Sequence, residues 1–535
     1  MGRLERIFDS SRLAAPLAVF AVALVVRSVT ALFITQPGYA DSYYYFHVAQ
    51  NLYYGRGFVE DFIWNYLENP TTVTHPSNVY WMPLSSITVY LSFLTFGLSF
   101  RAAQVPMIVA SALLPVIGYW LGKDVFRSAR YAWGIAAIII FSGIYYVYWI
   151  VPEGFGLYAV FGSLALILTY KALRDAIAYL VPASGIVALA QLTRADGALL
   201  LVPIALALVI LFARRFRDGS GHYVEVLATG LGSVLAYLLV LSPWLYRNWI
   251  DTGTLFPGAG LKAMFLREYN DMFAYGHKVD LAYFLGWGWD EILRSRASAF
   301  ASNFWVFTEI SLVFLTPFVL VGLWRLRSRL EYLPFLIYNI LLFATVSLIF
   351  TFPGPRGTYT HSGAALLPFI FGAALVGLDA TVALVARFRR HWVVPIAQRN
   401  FTVIAVGFAV VLSAALAVKA IQGWDDRYNE YREVASWLQG RTTDGETVMV
   451  VDPLRYYYVA HRPSIVFTND GVSSTIELAR RFNARYLVLE PGHPKPLNDL
   501  FAGREDNPAL RLEQTIGDFK IYRVTRPGGA AENRG

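Results

Sequence analysis

Apolar runs long enough to cross a bilayer recur along this chain so often that little of it is left to fold in water. A transmembrane helix needs roughly 17 to 25 mostly apolar residues. By that measure about eleven helices fall near 13–35, 103–121, 131–151, 155–170, 177–193, 197–212, 226–246, 303–323, 332–352, 363–385 and 401–420. Composition agrees: 56% of the residues are hydrophobic and 15% charged, with a mean hydropathy of +0.46, which excludes an ordinary soluble enzyme. The first run lacks a convincing cleavage site and reads as a retained signal anchor.

The loops between these runs fix an expected orientation. Lys123, Arg127 and Arg130; Lys171 and Arg174; Arg214, Arg215 and Arg217; Arg325, Arg327 and Arg329; and Arg387, Arg389 and Arg390 all fall on the side of Arg3, Arg6 and Arg12. Basic loops stay in the cytoplasm, so the N-terminus is expected inside and the C-terminus outside a plasma membrane. The net charge of +8 is thus topological and predicts no nucleic-acid partner. The register holds only if the apolar stretch 83–100 does not span. It is therefore expected to lie as an interfacial or re-entrant helix within a long first external loop, 36–102. Cysteine is absent, so any external domain folds without disulfides.

Beyond residue 420 the pattern changes. "YNEYREVASWLQGR" and "TIELARRFNA" have helical spacing, whereas "ETVMVVD", "SIVFT" and "RYLVLE" read as short strands. The expected fold is a polytopic α-helical membrane domain, 1–420, followed by a small external α/β domain, 421–527, and a polar tail, 528–535.

The polar residues that a bilayer does not explain gather at external helix ends: Asp41, His47, Glu60, Asp61, His75, Glu153, Arg194, Asp196, Arg247, Arg356 and His361. Charges of both signs at a membrane face mark a substrate path. Glu60 and Asp61 read more simply as solvated loop acids. In "ADSYYYFHVAQNLYYGRGF" (40–58) belt packing accounts for the tyrosines, but not for Asp41 ahead of them.

That stretch resembles the first external loop of the GT-C glycosyltransferases, a family including protein O-mannosyltransferases, aminoarabinose transferases and oligosaccharyltransferase catalytic subunits. Four further stretches match in the same order: "HPSNVYWMPLSSI" (75–87), "PEGFGLYAVFGSLAL" (152–166), "LTRADGALLLVP" (192–203) and "SPWLYRNWIDTGTLFP" (242–257). The resemblance implies an inverting glycosyltransferase that takes a sugar from a polyprenyl-phosphate donor and passes it to a glycan, lipid or protein acceptor. It maps the catalytic base onto Asp41 and a second acid onto Glu153.

Such a transfer needs a base for the acceptor hydroxyl, cations for the leaving phosphate and an apolar path for the lipid. Arg247, Arg356, His361 and Arg194 are candidates for the phosphate, because guanidinium forks match its oxygens. Tyr44, His75 and Trp81 are candidates for contact with sugar or acceptor. A single acid stands at Glu153 where oligosaccharyltransferases carry a pair, so Mg2+ or Mn2+ is compatible with the pattern without being required by it. Two other readings remain open: oligosaccharyltransferase-like transfer of a lipid-linked glycan to protein, and a transporter or flippase. The first lacks the W-W-D-Y-G signature, "GWGWDE" (286–291) lying between spans. The second calls for paired broken helices around a midplane site.

Overall fold

A computed structural model describes residues 10–218, 223–349, 358–389 and 391–525. The chain divides into two compact units. One comprises 1–35, 81–256 and 293–421; the other comprises 36–80, 257–292 and 422–535.

The first unit is helical. Among the described residues eight helices are long and apolar enough to cross a membrane, and nine if Ala129–Ile140 and Gly143–Ile150, bent by 52°, count as one span. The chain is a multi-pass membrane protein. Two of the expected spans take other forms. The run at 177–193 is a shorter apolar helix, and that at 303–323 is divided between Trp289–Ile310 and Thr316–Leu326. The stretch at 83–100 forms Leu84–Phe96, whose 13 residues rise only about 20 Å and cannot cross a 30 Å core.

Local chemistry sets several helix ends. Ser99 accepts the Ala102 N–H at 3.0 Å to open Phe100–Val125. Gly154–Arg174 ends on Lys171 and Arg174, which suit the negative end of its dipole. Elsewhere Asp379 accepts from Arg130 at 2.9 Å and from the Tyr131 hydroxyl at 2.7 Å, while Arg130 also donates to Thr402 at 2.9 Å. Three helices are pinned together there.

The second unit is built on a sheet. Its strands are β1 (Val59–Glu60), β2 (Phe62–Ile63), β3 (His75–Pro76), β4 (Thr447–Val450), β5 (Ser464–Val466), β6 (Ala484–Leu489), β7 (Leu510–Ile516) and β8 (Phe519–Val524). Six of them order as β2-β5-β4-β6-β8-β7, parallel from β2 to β6 and antiparallel beyond. Val472–Arg481 covers one face through Val472, Ile476 and Ala479; Tyr431, Val434, Leu438 and Tyr456 cover the other. Burial on both faces explains why β4 to β6 read as continuous apolar runs. The C-terminal α/β region thus takes an edge strand, β2, from the first loop.

Glu60 and Asp61 are buried, contrary to their reading as solvated loop acids. Burial is affordable because each is paired. Asp61 takes both Arg56 nitrogens at 2.7 Å, the Thr74 hydroxyl at 2.8 Å and His47 Nε2 at 3.2 Å. Desolvation opposes ionisation of Asp61, but the bonds from His47, Arg56 and Thr74 outweigh it and hold the carboxyl well below the usual range. Glu60 pairs with His75 Nε2 at 3.0 Å across the β1–β3 ladder.

Glu490, at the end of β6, behaves oppositely. Burial pushes its carboxyl from the ordinary 4.5 up to about 7, against the bonds from Tyr431 and Arg427. The folded state therefore holds this proton more tightly than the unfolded chain. Its stabilising contribution is full below pH 4.5 and is lost as pH rises through 7. Thermal unfolding of purified protein between pH 5 and 8 is expected to show wild type losing roughly 3 kcal/mol relative to Glu490→Gln as pH rises. Parallel curves for the two proteins would refute this assignment.

Candidate active site

In the second unit, Asp41 lies in the first turn of helix Ala40–Tyr53, where the positive end of the dipole favours a carboxylate. The residues before it are firmly held. The Gly38 N–H donates to Gln36 Oε1 at 2.7 Å, its carbonyl accepts from Arg455 at 3.1 Å, and Tyr39 stacks on Trp424 at 5.9 Å. Arg455 is itself buried and lies near Asp452, at 3.6 Å. Asp41 is half-buried at the start of a helix whose next residues, 42–49, are all buried.

Those core residues include Tyr43, Tyr44, Tyr45 and Phe46. Tyr44 accepts the Asn78 N–H at 2.6 Å and meets Phe62 edge-on at 6.1 Å, so the structure gives its ring a packing role. His75 is held by Glu60 on one nitrogen and by the Val73 carbonyl, at 2.9 Å, on the other. That is the arrangement of a structural imidazole.

In the first unit two of the singled-out stretches, 152–166 and 192–203, converge with His361. Glu153 is buried and caps helix Gly154–Arg174, its Oε1 accepting the Gly154 N–H at 2.6 Å. Gly154 lies flush against the end of the later helix Leu180–Thr193: a β-carbon there would stand 3.2 Å from Thr193 Cγ2. The next residue, Arg194, pairs with Asp196 at 3.4 Å, and Asp196 accepts the Ser362 hydroxyl. Ser362 follows His361, whose ring stacks flat on Phe155, centroids 4.4 Å apart and planes 4° from parallel. Glu153, Arg194, Asp196 and His361 are thereby fixed in one circuit of contacts.

Arg247 lies on helix Tyr223–Thr252, bonded to Asp251 at 2.7 Å and lying over Trp244 at 4.8 Å. Trp81 is half-buried just ahead of Leu84–Phe96. Arg356 lies outside the described residues. Sequence reading missed Tyr145, whose hydroxyl donates to the Thr360 carbonyl, and the Tyr158–Tyr338 hydroxyl pair at 2.6 Å. In "GIYYVYWIVPEGFG" Tyr145 looks like one more belt aromatic.

No family model and no curated protein sequence matches the chain. Solved structures do. The crystal structure of ArnT from Cupriavidus metallidurans bound to undecaprenyl phosphate matches with a TM-score of 0.57 at 13% identity, covering 95% of this chain and 98% of that one. The Archaeoglobus fulgidus oligosaccharyltransferase in the apo form matches at 0.51 and 14% identity, covering 89% and 69%. AglB from the same organism, in complex with an inhibitory peptide and a dolichol-phosphate, matches at 0.50 and 14%, covering 88% and 69%. At these identities the likeness speaks for architecture, and over most of its length this chain has the fold of the GT-C membrane glycosyltransferases.

Proposed function

We propose that this protein transfers a sugar from a polyprenyl-phosphate donor to an acceptor hydroxyl on the external face of the membrane, in one inverting displacement. The acceptor oxygen bonds to the anomeric carbon as the bond to the donor phosphate breaks. The acceptor proton passes to Asp41, and the lipid phosphate leaves with the electron pair. Glu153 orients the acceptor or polarises its hydroxyl, while Arg194, Arg247, Arg356 and His361 stabilise the phosphate charge. Trp81 contributes an aromatic face to the sugar or acceptor.

The observation that carries this reading is the convergence of Glu153, Arg194, Asp196 and His361 on one helix start. It occurs in a fold whose solved examples hold undecaprenyl phosphate or dolichol-phosphate. Fold alone does not give function, so the residues must carry the argument. The test is transfer by the purified protein in lipid nanodiscs from a panel of synthetic polyprenyl-phosphate sugars to membrane extracts, read by mass spectrometry. A sugar-modified product is expected; no product from any donor, with solute flux in proteoliposomes instead, would favour the transporter reading.

The orientation has its own test. The chain has no native cysteine, so single cysteines report cleanly. Thr71, Ser473 and Ser328 are exposed. Cysteines at 71 and 473 are expected to react with an impermeant maleimide in intact cells, and one at 328 only after permeabilisation. The reverse pattern would invert the proposed topology.

A further inference from the structure

Trp289–Ile310 ends in an unusual way. Leu312 and Val313 both take left-handed backbone conformations, at φ 60° and 51°, which are strained for branched side chains. The helix stops there, and Thr316–Leu326 begins after the break. A second interruption meets it. Gly143, at φ 62°, separates Ala129–Ile140 from Tyr148–Ile150, and a β-carbon on Gly143 would stand 2.5 Å from Leu312 Cδ2. The Gly143 N–H is satisfied by Ser413 Oγ at 2.8 Å.

Glu309 sits in the last turn before the first break. The last turn carries no basic residue, and no cation among the described residues pairs with the carboxylate. The negative end of the helix dipole disfavours an acid there. The side chain is nonetheless half-buried rather than enclosed. Its Oε1 accepts the indole N–H of Trp305 at 2.9 Å, one turn back, and Trp305 is 57% exposed. An acid and an indole thus share one open face. Ile310, the next residue, reaches the candidate site: a β-carbon on Gly363, two residues after His361, would stand 2.7 Å from Ile310 Cδ1 and 3.6 Å from the buried hydroxyl of Tyr145, which donates to the carbonyl just before His361. Glu309 therefore belongs to the neighbourhood of the candidate site, though sequence reading did not single it out.

We propose that Glu309 and Trp305 form a sugar-reading wall, the carboxylate accepting hydrogen bonds from hydroxyls of the transferred sugar while the indole face covers its C–H surface. The inference rests on the lipid-phosphate glycosyltransferase reading above and adds the group that recognises the donor's sugar. An ionised carboxylate only accepts hydrogen bonds, and a sugar's hydroxyls are donors that would satisfy Glu309 without a counter-cation. The indole N–H holds one oxygen in place, so the carboxylate is oriented before the sugar arrives.

The experiment compares kcat/KM for a polyprenyl-phosphate hexose and its monodeoxy analogues with wild type, Glu309→Gln and Glu309→Ala, at matched thermal stability. Wild type is expected to lose roughly 10-fold or more on the analogue lacking the recognised hydroxyl, since a site built to bind a hydroxyl rejects its absence. Glu309→Ala is expected to lose about as much on the parent donor, with its penalty for that analogue shrinking to less than about threefold. Gln keeps one acceptor oxygen and is expected to restore part of the loss. Trp305→Phe keeps a stacking face and is expected to raise KM more than it lowers kcat. If all analogues keep their wild-type penalties in Glu309→Ala, the carboxylate does not read the sugar, whatever its effect on the overall rate. If wild type transfers no hexose or deoxyhexose from any such donor, the underlying functional reading falls and takes this one with it.

Discussion

Asp41→Asn is expected to lower turnover by at least about 100-fold while leaving folding and donor affinity nearly unchanged. The local structure makes this a clean substitution. Asn is almost isosteric and still suits the first turn of Ala40–Tyr53, and the chain entering that turn is held by other residues: Gln36, Trp424 and Arg455. On the proposed mechanism, what disappears is the charge that accepts or polarises the acceptor proton. General bases typically contribute about 100-fold to 10,000-fold, and the loss should appear in kcat. If the donor is a lipid phosphate, as proposed, its binding draws mainly on phosphate and lipid contacts, so its dissociation constant should move little. Asp41→Glu should also be poor, because misplacing a catalytic group by about 1 Å can cost 100-fold. The measurement is single-turnover transfer by wild-type, Asn and Glu proteins with matched unfolding temperatures. Equal rates would remove Asp41 from the mechanism; a folding defect in the Asn protein would make it a structural acid.

What could be read from the sequence follows from how local each signal is. Span-length hydrophobicity is a property of a single segment, so Phe100–Val125, Gly154–Arg174 and Tyr223–Thr252 were legible within a few residues. The strands at 447–450, 464–466 and 484–489 were legible for the same reason, as short apolar runs between turns. The two-residue strand Phe62–Ile63 was not, because only its pairing with Ser464–Ile465, some 400 positions away, defines it. β7 was hidden by its polar edge-strand composition, mostly exposed along its length. Asp61 looked like a solvated loop acid because its partners His47, Arg56 and Thr74 are neighbours only once the loop has folded. In the candidate site, Glu153 and Arg194 stood out as charges at helix ends. Glu309 did not, because it lies inside the apolar run 303–323, which reads as one more span, and not at one of its ends.

Arg247→Ala is expected to lose roughly 2 to 4 kcal/mol of transition-state stabilisation, about 30-fold to 900-fold in rate, if its guanidinium holds the leaving phosphate. Among the candidate arginines it gives the most interpretable result, because of what each leaves behind. Asp251, its partner at 2.7 Å, has a side chain 36% exposed and can be solvated when the arginine goes. Asp196, the partner of Arg194, is 13% exposed, so Arg194→Ala strands a carboxylate with little access to water. A rate loss there mixes chemistry with local unfolding, and Arg194→Ala is informative only beside Arg194→Ala/Asp196→Asn, which removes the orphaned charge. If Arg194 serves the phosphate, the double variant recovers stability without recovering turnover. If it serves only the fold, both return together. For Arg247, lysine keeps the charge but loses the two-pronged geometry, so Arg247→Lys should recover only part of the rate. Leaving Asp251 in place while neutralising it as Asp251→Asn should preserve turnover, because phosphate, not aspartate, is the partner that matters in the transition state. The measurement is kcat/KM for the same donor across these variants in nanodiscs, with insertion verified by matched unfolding profiles. Unchanged turnover in Arg247→Ala would reduce this residue to an anchor stacked on Trp244 and shift the phosphate assignment to Arg194, Arg356 and His361.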